Sequence, residues 1–221
     1  MWTRWLPGPY WLALVLACAL IPCAASSEPA LTDERPVVLF VGTSLTAGYG
    51  LPSDEAFPAL IQRKIDQAGL DYRVVNAGVS GDTSAGGLRR MNWLLRLPIA
   101  VLVLELGAND MLRGLDPKTM RANLQEMVDR TRRAHPDSQL VVVGMRALQN
   151  LGPGFVEDFE SSFPRLAEKN DAVLVPFLLE GVAGDRTLNQ SDGIHPNADG
   201  QRKIADLLWL KLEPLLAAGS G

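Results

Sequence analysis

A serine and its surroundings give the first indication of chemistry in this chain. Ser44 follows the uninterrupted apolar run of residues 37–41 and Gly42. Such a run predicts a strand of a parallel sheet that is buried on both faces. Ligands of open α/β sheets bind at the carboxyl ends of such strands, so we expect the Ser44 hydroxyl at a binding edge. Read alone, Ser44 fits a helix N-cap equally well.

A histidine and an aspartate occur together in residues 192–196, which read Asp-Gly-Ile-His-Pro. Asp192 can fold back across Gly193 and accept a hydrogen bond from Nδ1 of His195. That contact would orient the imidazole and stabilise its protonated form, leaving Nε2 to take a proton from Ser44. The alternative is a turn capped by the aspartate and the proline. The other histidine, His135, follows an arginine-rich helix and is typical of a solvated or helix-capping residue.

Acyl transfer also needs hydrogen-bond donors for the oxyanion that forms in the transition state. The side-chain amide of Asn109 and the backbone N–H groups of Ser44 and Gly81 are the candidates. Asn109 could instead be a turn residue, and Gly81 could mark a left-handed turn. We expect Asp110 to bind the backbone of its own turn.

Apolar runs and helical periodicities alternate five times along the chain, which predicts a parallel sheet with helices on both faces and right-handed crossovers. The predicted strands are residues 37–41, 72–75, 99–104, 139–143 and 172–175. The predicted helices are residues 54–68, 84–95, 117–134, 155–169 with a break near Pro164, and 196–216.

The N-terminal 25 residues have the layout of a secretory signal peptide. Arg4 precedes an almost wholly apolar stretch, residues 10–21, and small residues then lead to a cleavage site before Ser26. The apolar stretch is short for a membrane span, although an uncleaved anchor is the alternative. We therefore expect a signal peptide at 1–25, a polar lead-in segment at 26–36 and one domain at 37–217.

Composition excludes several functions. Both cysteines, Cys18 and Cys23, lie in the leader, so the mature chain would have no disulfide, no cysteine nucleophile and no cysteine-ligated metal. The formal net charge is −4, and it becomes −5 when Arg4 leaves with the leader. An acidic chain without a large basic cluster argues against a nucleic-acid partner.

Four sequence blocks together resemble the SGNH (GDSL-type) hydrolases. They are Gly42-Thr43-Ser44-Leu45, Gly81, Gly107-Ala108-Asn109-Asp110 and Asp192-Gly193-Ile194-His195-Pro196. Residues 74–84 and 104–110 look like the branch of bacterial arylesterases and acyl-CoA thioesterase I/lysophospholipase enzymes. The resemblance implies Ser44 as nucleophile, His195 as base, Asp192 as its orienting acid, and oxyanion donors at Ser44, Gly81 and Asn109. It also implies a flavodoxin-like α/β domain with a five-stranded parallel sheet, no cofactor and no metal.

One position departs from that family. Thr43 stands where the family name expects aspartate. Because the acid of the triad would be Asp192, the departure should leave the mechanism intact and affects only how the Ser44 turn is held.

These observations predict a periplasmic or secreted, monomeric serine hydrolase of small-molecule carboxylic esters and thioesters, without stable membrane insertion once the signal is removed. Met111, Leu112 and Leu148 could line an apolar acyl groove, or they are core and rim residues. One alternative is a carbohydrate acetylesterase, which the scarcity of aromatic residues in the site loops disfavours. Another is a non-catalytic flavodoxin-like binder, which would not require Asp192 beside His195 or Asn109.

Overall fold

The computed structural model describes residues 33–219, and these form a five-stranded, all-parallel sheet. The strands lie in the order β2-β1-β3-β4-β5. They are β1 (Val37–Gly42), β2 (Arg73–Gly78), β3 (Ile99–Glu105), β4 (Gln139–Val143) and β5 (Val173–Val175). The predicted flavodoxin-like fold with a five-stranded parallel sheet is confirmed. The predicted signal peptide lies outside the described residues.

Helices cover both faces of the sheet. They are α1 (Ser44–Ala47), α2 (Phe57–Gln67), α3 (Ser84–Leu94), α4 (Ala108–Leu112), α5 (Pro117–Ala134), α6 (Pro153–Glu160), α7 (Ser162–Lys169) and α8 (Ala198–Ala218). Helix α2 packs against α8, whereas α5 packs against α3, α6 and α7. The chain moves from β1 to β2 in one direction and from β3 to β5 in the other, so right-handed crossovers place these two groups on opposite faces.

The two central strands supply the core and the edge that carries the site. All six residues of β1 are buried, and the interior of β3 is almost as inaccessible, which explains their continuous apolar sequences. The strand order reverses between β1 and β3, where Gly42 pairs with Glu105. Ligands of open α/β sheets bind outside the carboxyl ends of the strands at such a reversal. Ser44 follows β1 there, and Asn109 follows β3.

The structure corrects three predicted boundaries. Strand β2 continues to Gly78 through residues expected to form a loop. The break in the long helix falls at Ser161 rather than at Pro164, because Pro164 lies in the first turn of α7, where a missing N–H is tolerated. Helix α8 begins at Ala198 because Asn197 caps it, accepting from the N–H groups of Asp199 and Gly200.

Candidate active site

Ser44 is the first residue of α1 and stands directly beyond the end of β1. The hydroxyl of Thr43 caps this helix by accepting from the Leu45 N–H at 3.3 Å. The first helical hydrogen bond joins the Ala47 N–H to the Thr43 carbonyl at 3.0 Å, so the Ser44 amide precedes the hydrogen-bonded part of the helix. The strand, the cap and the short helix together place the Ser44 side chain at the carboxyl edge of the sheet.

The turn before Ser44 is held by Glu105, at the end of β3. The Glu105 carboxyl accepts from the Thr43 N–H at 2.9 Å and from the Thr43 hydroxyl at 3.1 and 3.0 Å. Thr43 thus donates to Glu105 through both its N–H and its hydroxyl. An aspartate at this position would place a second acidic side chain beside Glu105 instead of the hydroxyl donor. Sequence reasoning did not find Glu105, because a glutamate at a strand end carries no signal of the residue that it will face.

His195 is positioned by a loop that is closed on itself. Asn189 and Pro196 form an antiparallel bridge, and the Gln190 N–H donates to the His195 carbonyl at 2.8 Å. Oδ1 of Asp192 accepts from the N–H groups of Ile194 and His195, at 2.9 and 3.0 Å. These two backbone hydrogen bonds therefore orient the carboxylate independently of its contact with the imidazole.

Ser44, His195 and Asp192 form one chain of hydrogen bonds. Ser44 Oγ lies 3.0 Å from Nε2 of His195, and Nδ1 of His195 lies 2.7 Å from Oδ2 of Asp192. The hydrogen bond to the imidazole, followed by those from the backbone N–H groups of His195 and Ile194, lowers the pKa of Asp192 from 3.8 to about 2. The carboxylate is therefore ionised at neutral pH. This arrangement can remove a proton from a serine hydroxyl during nucleophilic attack.

The other two expected oxyanion donors border the same cleft as Ser44. Asn109 is in the first turn of α4, and one hydrogen of its amide Nδ2 is donated to the Asp82 carbonyl at 2.9 Å. Gly81 has φ of +78°, and within the protein a Cβ there would meet only Nη2 of Arg113, at 3.7 Å. The left-handed backbone, rather than crowding by neighbouring atoms, accounts for this glycine.

The prediction that the Asp110 side chain binds the backbone of its own turn is wrong. Its buried carboxylate accepts from the N–H and the hydroxyl of Ser84, at 2.8 and 2.6 Å. Ser84 is the first residue of α3, and a negative charge is favourable at a helix N-terminus. Asp110 therefore ties α4, which carries Asn109, to the start of α3.

A largely apolar cleft of about 600 Å³ lies beside Ser44 and His195. Met111, Leu112 and Leu148 all line it, so the structure brings the three expected side chains together. Met111 is buried and belongs to the core as well, whereas Leu112 and Leu148 are exposed at the rim. The Leu148 N–H contacts the sulfur of Met111 at 3.1 Å, which joins the loop after β4 to α4.

Tyr49 is a second residue that the sequence did not single out. Its ring packs on the imidazole of His195, with centroids 4.6 Å apart and planes inclined by 40°. Its carbonyl accepts from the side-chain amide of Gln190 at 2.6 Å. Tyr49 follows α1 by two positions, so a ring close to Ser44 was foreseeable, but contact with a loop near the end of the chain was not.

The rest of the described chain offers no competing centre of this kind. His135 lies at the C-terminal end of α5 and places Nε2 3.0 Å from the Leu95 carbonyl. Among residues 33–219, no group of three or more His, Cys, Asp or Glu side chains could hold a metal ion. No helix in that range is long and apolar enough to cross a membrane.

An open α/β sheet with a serine, an imidazole and a carboxylate linked at its carboxyl edge defines the class of serine hydrolases with an α/β fold. Comparison with known sequences gives the family. Residues 40–203 match the GDSL-like Lipase/Acylhydrolase family, and the chain belongs to it. The resemblance to GDSL-type hydrolases is thereby confirmed.

Three characterised relatives are similar over most of their length. The esterase TesA of Pseudomonas aeruginosa is 41% identical over 180 residues, covering 81% of this chain and 89% of that protein. An arylesterase of Vibrio mimicus is 35% identical over 203 residues, covering 91% and 96%. The thioesterase 1/protease 1/lysophospholipase L1 of Escherichia coli K12 is 39% identical over 181 residues, covering 81% and 84%.

A solved structure supports the same assignment. The crystal structure of the psychrotrophic esterase EstA of Pseudoalteromonas sp., inhibited by monoethylphosphonate, has a TM-score of 0.77 and 34% identity. The match covers 83% of this chain and 100% of that one.

Proposed function

We propose that this protein is a serine hydrolase that cleaves carboxylic esters and thioesters through an acyl-enzyme on Ser44. The observation that carries the proposal is the uninterrupted chain of hydrogen bonds from Ser44 through His195 to Asp192. The names of the relatives, an esterase, an arylesterase and a thioesterase/lysophospholipase, support the same reaction.

In the first half-reaction, Ser44 Oγ attacks the carbonyl carbon of the substrate while its proton passes to Nε2 of His195. The ionised Asp192 stabilises the imidazolium that forms. Collapse of the tetrahedral intermediate breaks the bond to the leaving oxygen or sulfur, which takes the proton from Nε2. The acyl group remains on Ser44.

The second half-reaction repeats these steps with water. His195 accepts a proton from the attacking water, and the same proton returns to Ser44 Oγ as the carboxylic acid leaves. No redox partner or metal enters this balance.

The proposed oxyanion donors are the backbone N–H groups of Ser44 and Gly81 and the side-chain amide of Asn109. One hydrogen of the Asn109 amide is committed to the Asp82 carbonyl, which fixes the plane of the amide. The second hydrogen is then available to a developing oxyanion. A donor held in this way needs no reorganisation as charge develops.

The cleft favours an acyl chain over a sugar. Besides Met111, Leu112 and Leu148, it is lined by further apolar side chains such as Met145 and Leu179. The one aromatic side chain among its lining residues is Tyr49, whose ring is already packed against His195. A carbohydrate acetylesterase would be expected to present a free aromatic face, so esters and thioesters of fatty acids are the better substrates.

The proposal extends to location and assembly. Residues 1–25 are a signal peptide that is removed in the mature protein, residues 26–36 are a lead-in segment, and 37–217 form the hydrolase domain. The enzyme then acts in the periplasm or outside the cell as a monomer. Mass spectrometry of the exported protein would give its first residue, and light scattering its mass; a retained leader or a stable dimer would contradict these statements.

The reaction is tested with p-nitrophenyl esters of graded chain length, an acyl-CoA and a lysophospholipid, alongside labelling by an organophosphate. Hydrolysis of at least one substrate series and a single adduct on Ser44 are expected. An adduct on another serine, with Ser44 unmodified, would overturn the assignment. A purified protein that carries a coloured flavin and lacks hydrolase activity would favour the flavodoxin-like binder instead.

A further inference from the structure

The proposed reaction makes no direct use of Glu105, although this residue is a buried ionisable group next to the nucleophile. Glu105 is the last residue of β3 and is only 2% exposed. Burial raises the pKa of its carboxyl, and hydrogen bonds from Thr43 and Thr46 oppose that rise. Within the described part of the chain, no cation is among the groups that act on this carboxyl, and a buried carboxyl without one is costly compared with an apolar residue of similar size. Its presence therefore calls for a role.

Among residues 33–219, the hydrogen-bond donors to this carboxyl come from the turn that carries Ser44. Oε2 accepts from the Thr43 N–H at 2.9 Å and from the Thr46 hydroxyl at 2.7 Å, and the Thr43 hydroxyl lies 3.1 Å from Oε1. Thr43 precedes the nucleophile by one position, and Thr46 follows it by two. Glu105 is thus hydrogen-bonded to the turn on both sides of Ser44.

The backbone is shaped to admit the carboxyl. Gly42 is the register partner of Glu105, and a Cβ at that glycine would lie 2.6 Å from Glu105 Oε2 and 2.0 Å from the Thr46 hydroxyl. Any side chain at position 42 would displace one of these groups. Four residues therefore form one closely packed, hydrogen-bonded cluster, which we name the Glu105 clamp: Gly42, Thr43, Thr46 and Glu105.

We propose that Glu105 is a positioning residue that fixes the strand-to-helix turn on which Ser44 stands. The inference rests on the proposed nucleophilic role of Ser44. Ser44 Oγ is 3.0 Å from Nε2 of His195, and this alignment needs the turn to be held against a loop 151 positions away. Small displacements of a reacting atom cost large factors in rate. Thr43, unlike an aspartate, completes the clamp without placing a second acidic group beside Glu105.

The first test compares two threonine-to-valine substitutions at buried positions, each of which removes one side-chain hydroxyl. Thr46→Val removes one donor to Glu105. Thr131→Val is the matched control, because Thr131 is equally buried but donates to the Met127 carbonyl inside α5. The measurements are kcat and KM for a p-nitrophenyl ester, the rate of Ser44 labelling by an organophosphate, and the thermal midpoint.

Thr46→Val should lower kcat and the labelling rate in parallel, by about ten-fold, and leave KM within about two-fold, because the defect lies in alignment of the nucleophile rather than in binding. Thr131→Val should lower the midpoint but keep the wild-type kcat and labelling rate. Wild-type rates in folded Thr46→Val would overturn the inference.

The second test changes the carboxyl itself. In Glu105→Gln, an amide oxygen in the place of Oε2 can still accept from the Thr43 N–H and the Thr46 hydroxyl, and the Thr43 hydroxyl can turn to accept from the amide nitrogen. We expect this variant to fold and to lose less of its kcat than Glu105→Ala, which leaves the Thr43 N–H without its acceptor.

Equal labelling rates in the wild type and folded Glu105→Gln and Glu105→Ala would overturn the role of Glu105. If Glu105→Ala does not fold, the labelling rates of folded Glu105→Gln and Thr46→Val are compared with the wild type instead. Wild-type rates in both variants would overturn the role of Glu105. Absence of labelling at Ser44 in the wild type would instead overturn the proposed function, so the two failures are distinguishable.

Discussion

The carboxylate of Asp110 binds both the N–H and the hydroxyl of Ser84, at 2.8 and 2.6 Å, and so joins the helix that bears Asn109 to the start of α3. Neighbouring residues of one short segment thus have different tasks. Asp110 faces inward and holds two elements together. Asn109 lines the cleft, where we propose that its amide binds the oxyanion.

Asn109→Ala should lower kcat by a factor on the order of 10²–10³ with little change in KM, because a side-chain donor to the oxyanion gains strength only in the transition state. Loss of its hydrogen bond to the Asp82 carbonyl should cost only about 1 kcal/mol of stability. Steady-state kinetics and thermal melting measure the two effects. An early melt with full kcat below it would instead make Asn109 a turn residue.

Asp110→Ala is the contrasting variant. It leaves the buried N–H of Ser84 without its acceptor, at a cost of about 1–3 kcal/mol, so the thermal midpoint should fall clearly. In the folded protein at low temperature, its kcat should exceed that of Asn109→Ala. The reverse order would mean that Asp110 takes part in the chemistry.

The two histidines serve as controls for each other. His195→Ala should reduce kcat by a factor on the order of 10⁴ or more, because Nε2 of His195 is the hydrogen-bond partner that would take the proton of the Ser44 hydroxyl. His135→Ala should keep a kcat close to that of the wild type, since His135 lies at the end of α5 and contacts the Leu95 carbonyl. Circular dichroism would show whether equal losses in both variants reflect unfolding.

The pH dependence should separate Asp192 from His195. The imidazole and backbone hydrogen bonds lower the pKa of Asp192 to about 2, so this carboxylate stays ionised across the range in which the enzyme works. The acid limb of kcat/KM should then contain no ionisation of Asp192, so that a single proton describes the whole fall in activity. Two ionisations on that limb would contradict the assignment.

Stability should show the Asp192 ionisation directly. Its folded-state pKa lies below the ordinary value of 3.8, so its contribution is present above that pH and is lost as the pH falls toward about 2. The difference in thermal midpoint between the wild type and Asp192→Asn should be constant above about pH 5 and shrink below about pH 4. A difference that does not vary with pH would mean that the charge of Asp192 makes no contribution.

Tyr49 should contribute modestly through its contact with the imidazole. A ring centroid 4.6 Å from His195 can stabilise the imidazolium that forms during attack. Such contacts are worth about 0.5–1 kcal/mol at exposed sites, which is roughly two- to five-fold in kcat. Tyr49→Ala should show this loss and Tyr49→Phe should not, as measured by steady-state kinetics; a loss in both would implicate the hydroxyl.

Leu148 should set chain-length preference. Its side chain lines the cleft and is half exposed, so truncation removes apolar contact mainly from longer acyl chains. Leu148→Ala should change kcat/KM for long relative to short esters by about 1 kcal/mol, or roughly five-fold. Leu210→Ala, at an exposed position of α8, is the control. A uniform change across all chain lengths would refute this role.

The sequence by itself determined the strands, the order of the elements and the loops that bear the site. Strands β1 and β3 can be recognised in the sequence because both of their faces are buried, so residues 37–41 and 99–104 form continuous apolar runs. Parallel strands joined by helices bring their carboxyl ends to one edge, so Ser44 and Asn109 could be placed together before any coordinates were known. The relation of Asp192 to His195 spans three positions and is likewise local.

Only the tertiary structure decided which residues face each other across that edge. The Glu105 clamp depends on the register that pairs Gly42 with Glu105, and no pattern within either strand specifies a register between two continuously apolar strands. The contacts of Asp110 with Ser84 and of Tyr49 with His195 join segments far apart in the chain. Local periodicity reflects burial within one element, whereas these partners are set by how whole elements pack.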